Sequence, residues 1–175
     1  MAKAKSTRTS PEPSIELDLR TRHSAGPPTK DEKRFNVFLI DTGWNAPISK
    51  AVRTHLRMVF EYHPHDSLYE LTPQQSVEVL KRDPTLIGCD PTIIVYDLYT
   101  SSQPHANKYR GFRLNLGLMR NPEQALARLQ EFNRFVSLNR CDEHLERCVR
   151  KELHREGIDG IVKLLRETTT EMLME

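Results

Sequence analysis

The apolar and polar residues of the chain predict alternating strands and helices from residue 35 onward. Five of the six residues 35–40 are apolar, which is typical of a buried strand. A second run, residues 92–96, is rich in β-branched side chains and predicts another central strand. Between these runs, apolar residues at helical spacing predict a helix over residues 45–62. Strongly apolar strands separated by helical segments predict an α/β domain with helices on both faces of its sheet.

Capping residues and further alternation place the remaining elements. Thr72 before Pro73 and Asn121 before Pro122 each combine a side-chain cap with a proline in the first helical turn. They predict helix starts at both places. The other predicted elements are a short strand at 67–71, the second arm of a hairpin at 109–119, and two further helices at 142–155 and 158–174.

Residues 1–34 differ in composition from the rest of the chain. They carry eight lysines and arginines against five acidic residues, and four prolines. This composition predicts an extended, flexible basic tail with few buried contacts. Within it, Ile15, Leu17 and Leu19 alternate with charged residues, a pattern that favours a half-buried strand added to a sheet edge of this chain or of a partner. The alternative is a solvated tail that serves only solubility.

Overall composition limits the classes of function. Of 175 residues, 26 are basic and 24 acidic, so the molecule has no strong field for nucleic acid or membranes. The sequence has neither a run long enough for a membrane span nor the apolar core of a signal peptide, and it predicts a cytoplasmic protein. Phosphate-loop, dinucleotide and serine-elbow motifs are missing from the sequence, which gives enzyme activity little support and predicts no cofactor.

Three features stand at the ends of the predicted strands: the sequence Trp44-Asn45-Ala46-Pro47-Ile48 after the first, Pro91 before the second central one, and Gly117 near the end of the predicted hairpin. With these features, residues 35–138 resemble the thioredoxin-like superfamily, which carries Trp-Cys-Gly-Pro-Cys, a cis-proline and a glycine at the corresponding places. The resemblance implies a three-layer domain, a cis Asp90–Pro91 bond, and strands 35–41 and 92–96 as parallel neighbours. It divides the chain into a tail (1–34), a thioredoxin-like domain (35–138) and a C-terminal helical extension (139–175).

The resemblance also implies a function without dithiol chemistry, because Asn45 and Ile48 replace both redox cysteines. It favours a redox-inactive binding or assembly module, an accessory subunit that docks to a larger protein complex through its tail and one surface. The C-terminal helices are a place for oligomer contacts. The binding residues that the resemblance implies are Trp44, Asn45, Ala46, Pro47, Asp90 and Pro91.

The three cysteines, Cys89, Cys141 and Cys148, are an odd number and give no disulfide framework. By the resemblance, Cys89 lies near Trp44, so the alternative function is a thiol oxidoreductase or peroxidase that uses Cys89. An inert thiol is favoured, because free cysteines are mostly buried and unreactive and no lysine or histidine lies near Cys89 in the sequence. Cys141, His144 and Cys148 recur at i, i+3 and i+7, which suits zinc ligands on one helix face. The favoured interpretation of these two cysteines is that they fill an apolar stripe.

Overall fold

The computed structural model describes residues 28–61, 64–101, 109–156 and 161–166. The strands in these ranges are β1 (Phe35–Ile40), β2 (Ser67–Glu70), β3 (Thr92–Asp97), β4 (Tyr109–Asn115) and β5 (Val162–Arg166). The α-helices are α1 (Ala46–Glu61), α2 (Pro73–Arg82), α3 (Leu98–Ser101), α4 (Pro122–Asn139) and α5 (Leu145–Glu156), and short 3₁₀ turns occur at Pro84–Leu86 and Leu116–Leu118. Among the helices in these ranges, none has the length and apolar character that a membrane crossing requires.

The strands form one mixed sheet in the order β2-β1-β3-β4-β5. β1 and β2 run parallel, and every other neighbouring pair is antiparallel. The prediction that β1 and β3 are neighbours is confirmed, but their predicted parallel direction is wrong. Ile40 pairs with Thr92, so β3 starts beside the end of β1 and runs back along it. The bond between Asp90 and Pro91 is cis, as predicted.

Alternate residues of each strand point to opposite faces of the sheet, and helices cover both faces. Phe35, Val37 and Leu39 of β1 belong to the larger core cluster, to which α1, α4 and α5 contribute apolar side chains. Ile40, with Phe38 packed beside it, belongs to a second cluster that includes side chains of α2. The predicted α/β class with helices on both faces is therefore confirmed.

The C-terminal part of the chain corrects the prediction of two helices. Residues 162–166, predicted as part of a helix over 158–174, form strand β5 against β4. Leu164 packs against the larger cluster and Leu165 lies in the second one, so both faces of this short apolar run are used. The edge of β4 supplies hydrogen-bond partners that the sequence pattern alone does not reveal. In α5, Leu145 and Val149 are also members of the larger core.

The N-terminal boundary also differs from the prediction. Arg34, assigned to the tail, is 1% exposed and pairs with Asp97 at the end of β3. The backbone carbonyls of Lys30 and Glu32 accept hydrogen bonds from Arg140, which follows α4. Residues 30–34 are therefore attached to the sheet domain by long-range contacts. The predicted strand pattern at residues 15–20 lies outside the described residues.

Candidate functional site

Three chain segments meet where β1 ends, β3 begins and β4 ends. The sheet register places Ile40, Thr92 and Asn115 side by side at this end. The backbone N–H of Leu116 donates to Pro91 O at 2.9 Å, which fastens the turn after β4 to the loop before β3. This end of the sheet is therefore where the loops with the predicted binding residues come together.

Gly117 allows the closest of these approaches. Its N–H donates to Cys89 O at 2.9 Å and to Pro91 O at 3.1 Å. A Cβ atom at Gly117 would lie 2.1 Å from Asp90 O and 2.7 Å from the carbonyl carbon of Cys89. Both neighbours are backbone atoms, so the two segments can lie this close only because residue 117 lacks a side chain.

Trp44 projects from this end of the sheet, and a hydrogen bond holds one edge of its indole ring. Its side chain is 58% exposed, and the indole Nε1–H donates to Asp90 O at 2.6 Å. Two further large apolar residues are exposed. Ile87 (65% exposed) lies on the loop before β3 that contains Asp90, and Leu118 (45% exposed) follows Gly117, which is hydrogen-bonded to that loop. We call the set of Trp44, Asn45, Ala46, Pro47, Ile87, Asp90, Pro91 and Leu118 the Trp44 surface.

The predicted binding residues divide into exposed and supporting ones. Trp44, Ala46 and Pro47 are exposed, and Asn45 is half-buried. The remaining two predicted residues, Asp90 and Pro91, are buried beneath them and position the loop. Sequence analysis missed Ile87 and Leu118, because an isolated apolar residue beside a turn gives no sign of its exposure.

Asp90 ties the loop before β3 to the loop after β1. Its Oδ2 accepts hydrogen bonds from Thr42 N at 2.9 Å and Thr42 Oγ1 at 2.5 Å. Its Oδ1 is buried and has no hydrogen-bond partner among the described residues. The side chain of Asp90 thus holds Thr42, while its backbone carbonyl holds Trp44 two residues further on.

Asp41 fixes the start of α1 through hydrogen bonds to its side chain. It is buried, and its Oδ1 accepts from Gly43 N and Ser49 Oγ, both at 2.8 Å. Its Oδ2 accepts from Arg53 Nε at 2.7 Å, which balances the buried charge. Sequence analysis assigned no role to Asp41, although an aspartate directly after a buried strand was a signal for one.

Glu70 of the edge strand β2 forms ion pairs with two arginines of α1. Arg53 Nη1 also contacts Glu70 Oε2 at 3.3 Å, and Arg57 Nε lies 2.6 Å from Glu70 Oε1. The hydrogen bond from Arg57 lowers the pKa of Glu70 below its ordinary value.

Neither of the two residues at the positions that the resemblance assigns to redox cysteines has a reactive side chain. Asn45 is half-buried, and Ile48 is 2% exposed within the larger core. Cys89 is half-buried, and its Sγ–H donates to Thr85 O at 3.6 Å. This partner is a neutral carbonyl and not a cation that would stabilise a thiolate.

The residues considered for zinc do not form a ligand set. Helix α5 starts at Leu145, so Cys141 and His144 precede it and the assumed helical spacing does not hold. Cys141 is exposed, so it does not fill an apolar stripe, whereas Cys148 packs against the larger core. Burial, together with the hydrogen bond to Asp142, raises the pKa of Cys148. Within the part of the chain that the structure describes, no three His, Cys, Asp or Glu side chains are grouped closely enough to hold a metal ion.

Comparison with known proteins gives no relative. No protein-family model, no curated protein and no solved structure matches this chain significantly.

Proposed function

We propose that this protein is a redox-inactive, thioredoxin-like binding module of the cytoplasm, which holds an extended segment of a protein partner at the Trp44 surface. In this proposal it is an accessory subunit that docks to a larger complex. The observation that carries the proposal is Trp44, because its indole is 58% exposed and is also hydrogen-bonded to the loop beside it.

The topology supports the thioredoxin-like part of the proposal. The chain follows β1 with helix α1, returns in the parallel strand β2, and then places β3 and β4 on the other side of β1. The Trp44 sequence stands at the start of α1, and Pro91 stands directly before β3. This is the arrangement that the resemblance implies, apart from the direction of β3.

Exposed apolar area supports the binding part of the proposal. Tryptophan is frequent among the residues that contribute most of the binding free energy at protein interfaces. Trp44, Ile87 and Leu118 are each 45% exposed or more, and they lie on three segments that hydrogen bonds join at one end of the sheet. Exposed apolar side chains grouped in this way are typical of an interaction surface.

The test compares Trp44→Ala with Met58→Ala in the full-length protein. Met58 is a matched control, because it is also apolar, 54% exposed and located on α1, but away from the loop before β3. Proteins captured from a cell extract by the unchanged protein should be captured equally by Met58→Ala. Purified partners should bind Trp44→Ala at least about tenfold more weakly, which corresponds to about 1.4 kcal/mol. Equal affinity of both variants for every captured partner would contradict the proposal.

The second candidate function is a thiol oxidoreductase or peroxidase that uses Cys89. It is favoured by one observation: Cys89 is half-buried on the same loop that holds Trp44. Insulin reduction and peroxide consumption measured with the unchanged protein and with Cys89→Ser decide between the two candidates. The binding proposal expects no turnover from either protein, whereas activity that disappears in Cys89→Ser would establish the enzyme.

Partner contacts beyond the Trp44 surface are also part of the proposal. The basic residues Lys3, Lys5 and Arg8 suit an acidic partner, and such contacts should weaken as salt rises. Oligomer contacts through α5 would use its outer face, since Leu145 and Val149 are in the core of their own chain.

A further inference from the structure

The outer edge of β2 is open in the part of the chain that the structure describes. β2 ends the sheet and pairs there with β1 alone. The N–H of Leu71, directly after β2, donates to Leu39 O at 3.1 Å. Because successive residues of a strand alternate in direction, the N–H and C=O groups of Leu68 and Glu70 point away from β1. These groups are a template for one more strand.

We propose that residues 15–20 of this same chain pair with the outer edge of β2 as a sixth strand. The occupant is identified by its pattern, since Ile15, Leu17 and Leu19 alternate with Glu16, Asp18 and Arg20. Such alternation gives a strand one apolar and one charged face. This inference goes beyond the Trp44 surface and does not depend on it.

The path of the chain favours the β2 edge over the β5 edge. Arg34 N and Phe35 N donate to Asp66 Oδ1, at 3.1 and 2.9 Å, and Asp66 directly precedes β2. The chain therefore enters β1 beside the start of β2, whereas β3 and β4 separate β1 from β5. Residue 20 is eight residues before Pro28, a span of at most roughly 28 Å. A tether this short gives the segment an effective concentration on the order of millimolar at the β2 edge.

The two faces of β2 match the two faces of the segment. On one face, Glu70 is paired with Arg57, whose side chain is 64% exposed and can bind a second carboxylate. Glu16 and Asp18 would lie on this face. On the opposite face, Tyr69 is half-buried and stacks on Phe38 with ring centroids 4.9 Å apart.

The apolar side chains would complete the cover on that second face. Val77 of α2, 41% exposed, belongs to the helix that covers the same side of the sheet. Ile15, Leu17 and Leu19 would therefore cover the open side of Tyr69 and approach α2. In this orientation the acidic side chains of the segment lie beside Arg57, and its apolar side chains lie beside Tyr69.

Amide hydrogen exchange of the full-length protein, resolved by residue with NMR, tests the inference. In the unchanged protein, the N–H groups of Leu68 and Glu70 should be protected, together with every second N–H group of residues 15–19, because only alternate ones point toward β2. The triple variant Ile15→Ser, Leu17→Ser, Leu19→Ser should speed exchange at Leu68 and Glu70 at least about tenfold. Tyr69 should change little, because its N–H points toward β1.

Leu138→Ser is the matched control, since it replaces a leucine of α4 that is 74% exposed. It should leave exchange at Leu68 and Glu70 unchanged. The inference is overturned if these two amides exchange equally fast in the unchanged protein and the triple variant. It is also overturned if the triple variant alters β5 instead. Protection at Leu68 and Glu70 that falls on dilution would assign the added strand to a second copy and overturn pairing within one chain.

Discussion

One hydrogen bond restricts the exposed side chain of Trp44, which bears on the proposed binding function. An indole on the surface ordinarily loses rotamer freedom when a partner covers it, and this loss weakens binding. The hydrogen bond from Nε1 to Asp90 O restricts the ring within the chain itself. Asp90 is itself immobilised by Thr42 and by its full burial. Part of the rotamer entropy of Trp44 is therefore lost already when the chain folds.

Substitution of Gly117 should show how closely the loops under Trp44 are packed. In Gly117→Ala the new Cβ would lie 2.1 Å from Asp90 O, so the backbone must move. We expect a loss of about 3 kcal/mol or more in the free energy of unfolding, measured by urea denaturation. Gly43→Ala is the control, because Gly43 has φ +80° but nothing within 4 Å of its Cβ position. It should cost only about 1–2 kcal/mol, and equal losses would contradict the packing argument.

Two buried arginines join elements that are distant in the sequence. Arg34 pairs with Asp97 at the end of β3, and Arg140 pairs with Asp66 just before β2. Arg34 Nη1 also donates to Arg140 O, and both guanidinium groups lie over the ring of Phe35, at 5.3 and 5.8 Å. This network attaches the segment before β1 and the turn after α4 to the same end of the sheet.

Removal of the Arg140 side chain should release these elements together. In Arg140→Met, Asp66, with a side chain 4% exposed, loses its cation, and we expect a loss of about 3–5 kcal/mol in thermal or urea unfolding. Adding Asp66→Asn should recover part of this loss, because the buried charge is then absent. Arg128→Met removes a partly exposed pair with Glu131 and should cost less than about 1 kcal/mol. Similar losses for Arg128→Met and Arg140→Met would show that burial does not strengthen the Arg140 contact.

The chain after residue 139 completes the domain on both faces. α5 adds Leu145 and Val149 to the larger core, and β5 adds Leu165 to the second one. β5 also covers the edge of β4, which would otherwise be a site for aggregation. The core and the sheet therefore include residues from beyond position 138.

Paired substitutions in β5 should measure its contribution to the whole fold. Leu165 is 2% exposed, and Leu165→Ala should lower the free energy of unfolding by about 2–5 kcal/mol. Lys163 is exposed on the same strand, and Lys163→Ala should change it by less than about 0.5 kcal/mol. If Leu165→Ala unfolds at the same denaturant concentration as Lys163→Ala, β5 is not an integral part of the core.

The sequence by itself determined the features that depend on neighbouring residues. Thr72 caps α2 through Gln75 N, and Asn121 caps α4 through Gln124 N, as their positions predict. The apolar runs of β1 and β3 are buried strands for the same reason, since their own composition favours them. For the candidate site, the resemblance to the thioredoxin-like superfamily selected Trp44, and the structure leaves it exposed together with Ala46 and Pro47.

Only the tertiary structure decided the features that depend on distant partners. The direction of β3 follows from where the chain rejoins the sheet, and β5 is a strand because β4 offers it an edge. Arg34 is buried because Asp97, sixty-three residues later, balances its charge. Ile87 is 65% exposed on a loop that hydrogen bonds through Cys89, Asp90 and Pro91 join to Trp44 and Gly117. Pairing, charge balance and exposure are set by groups far along the chain, so a local pattern does not contain them.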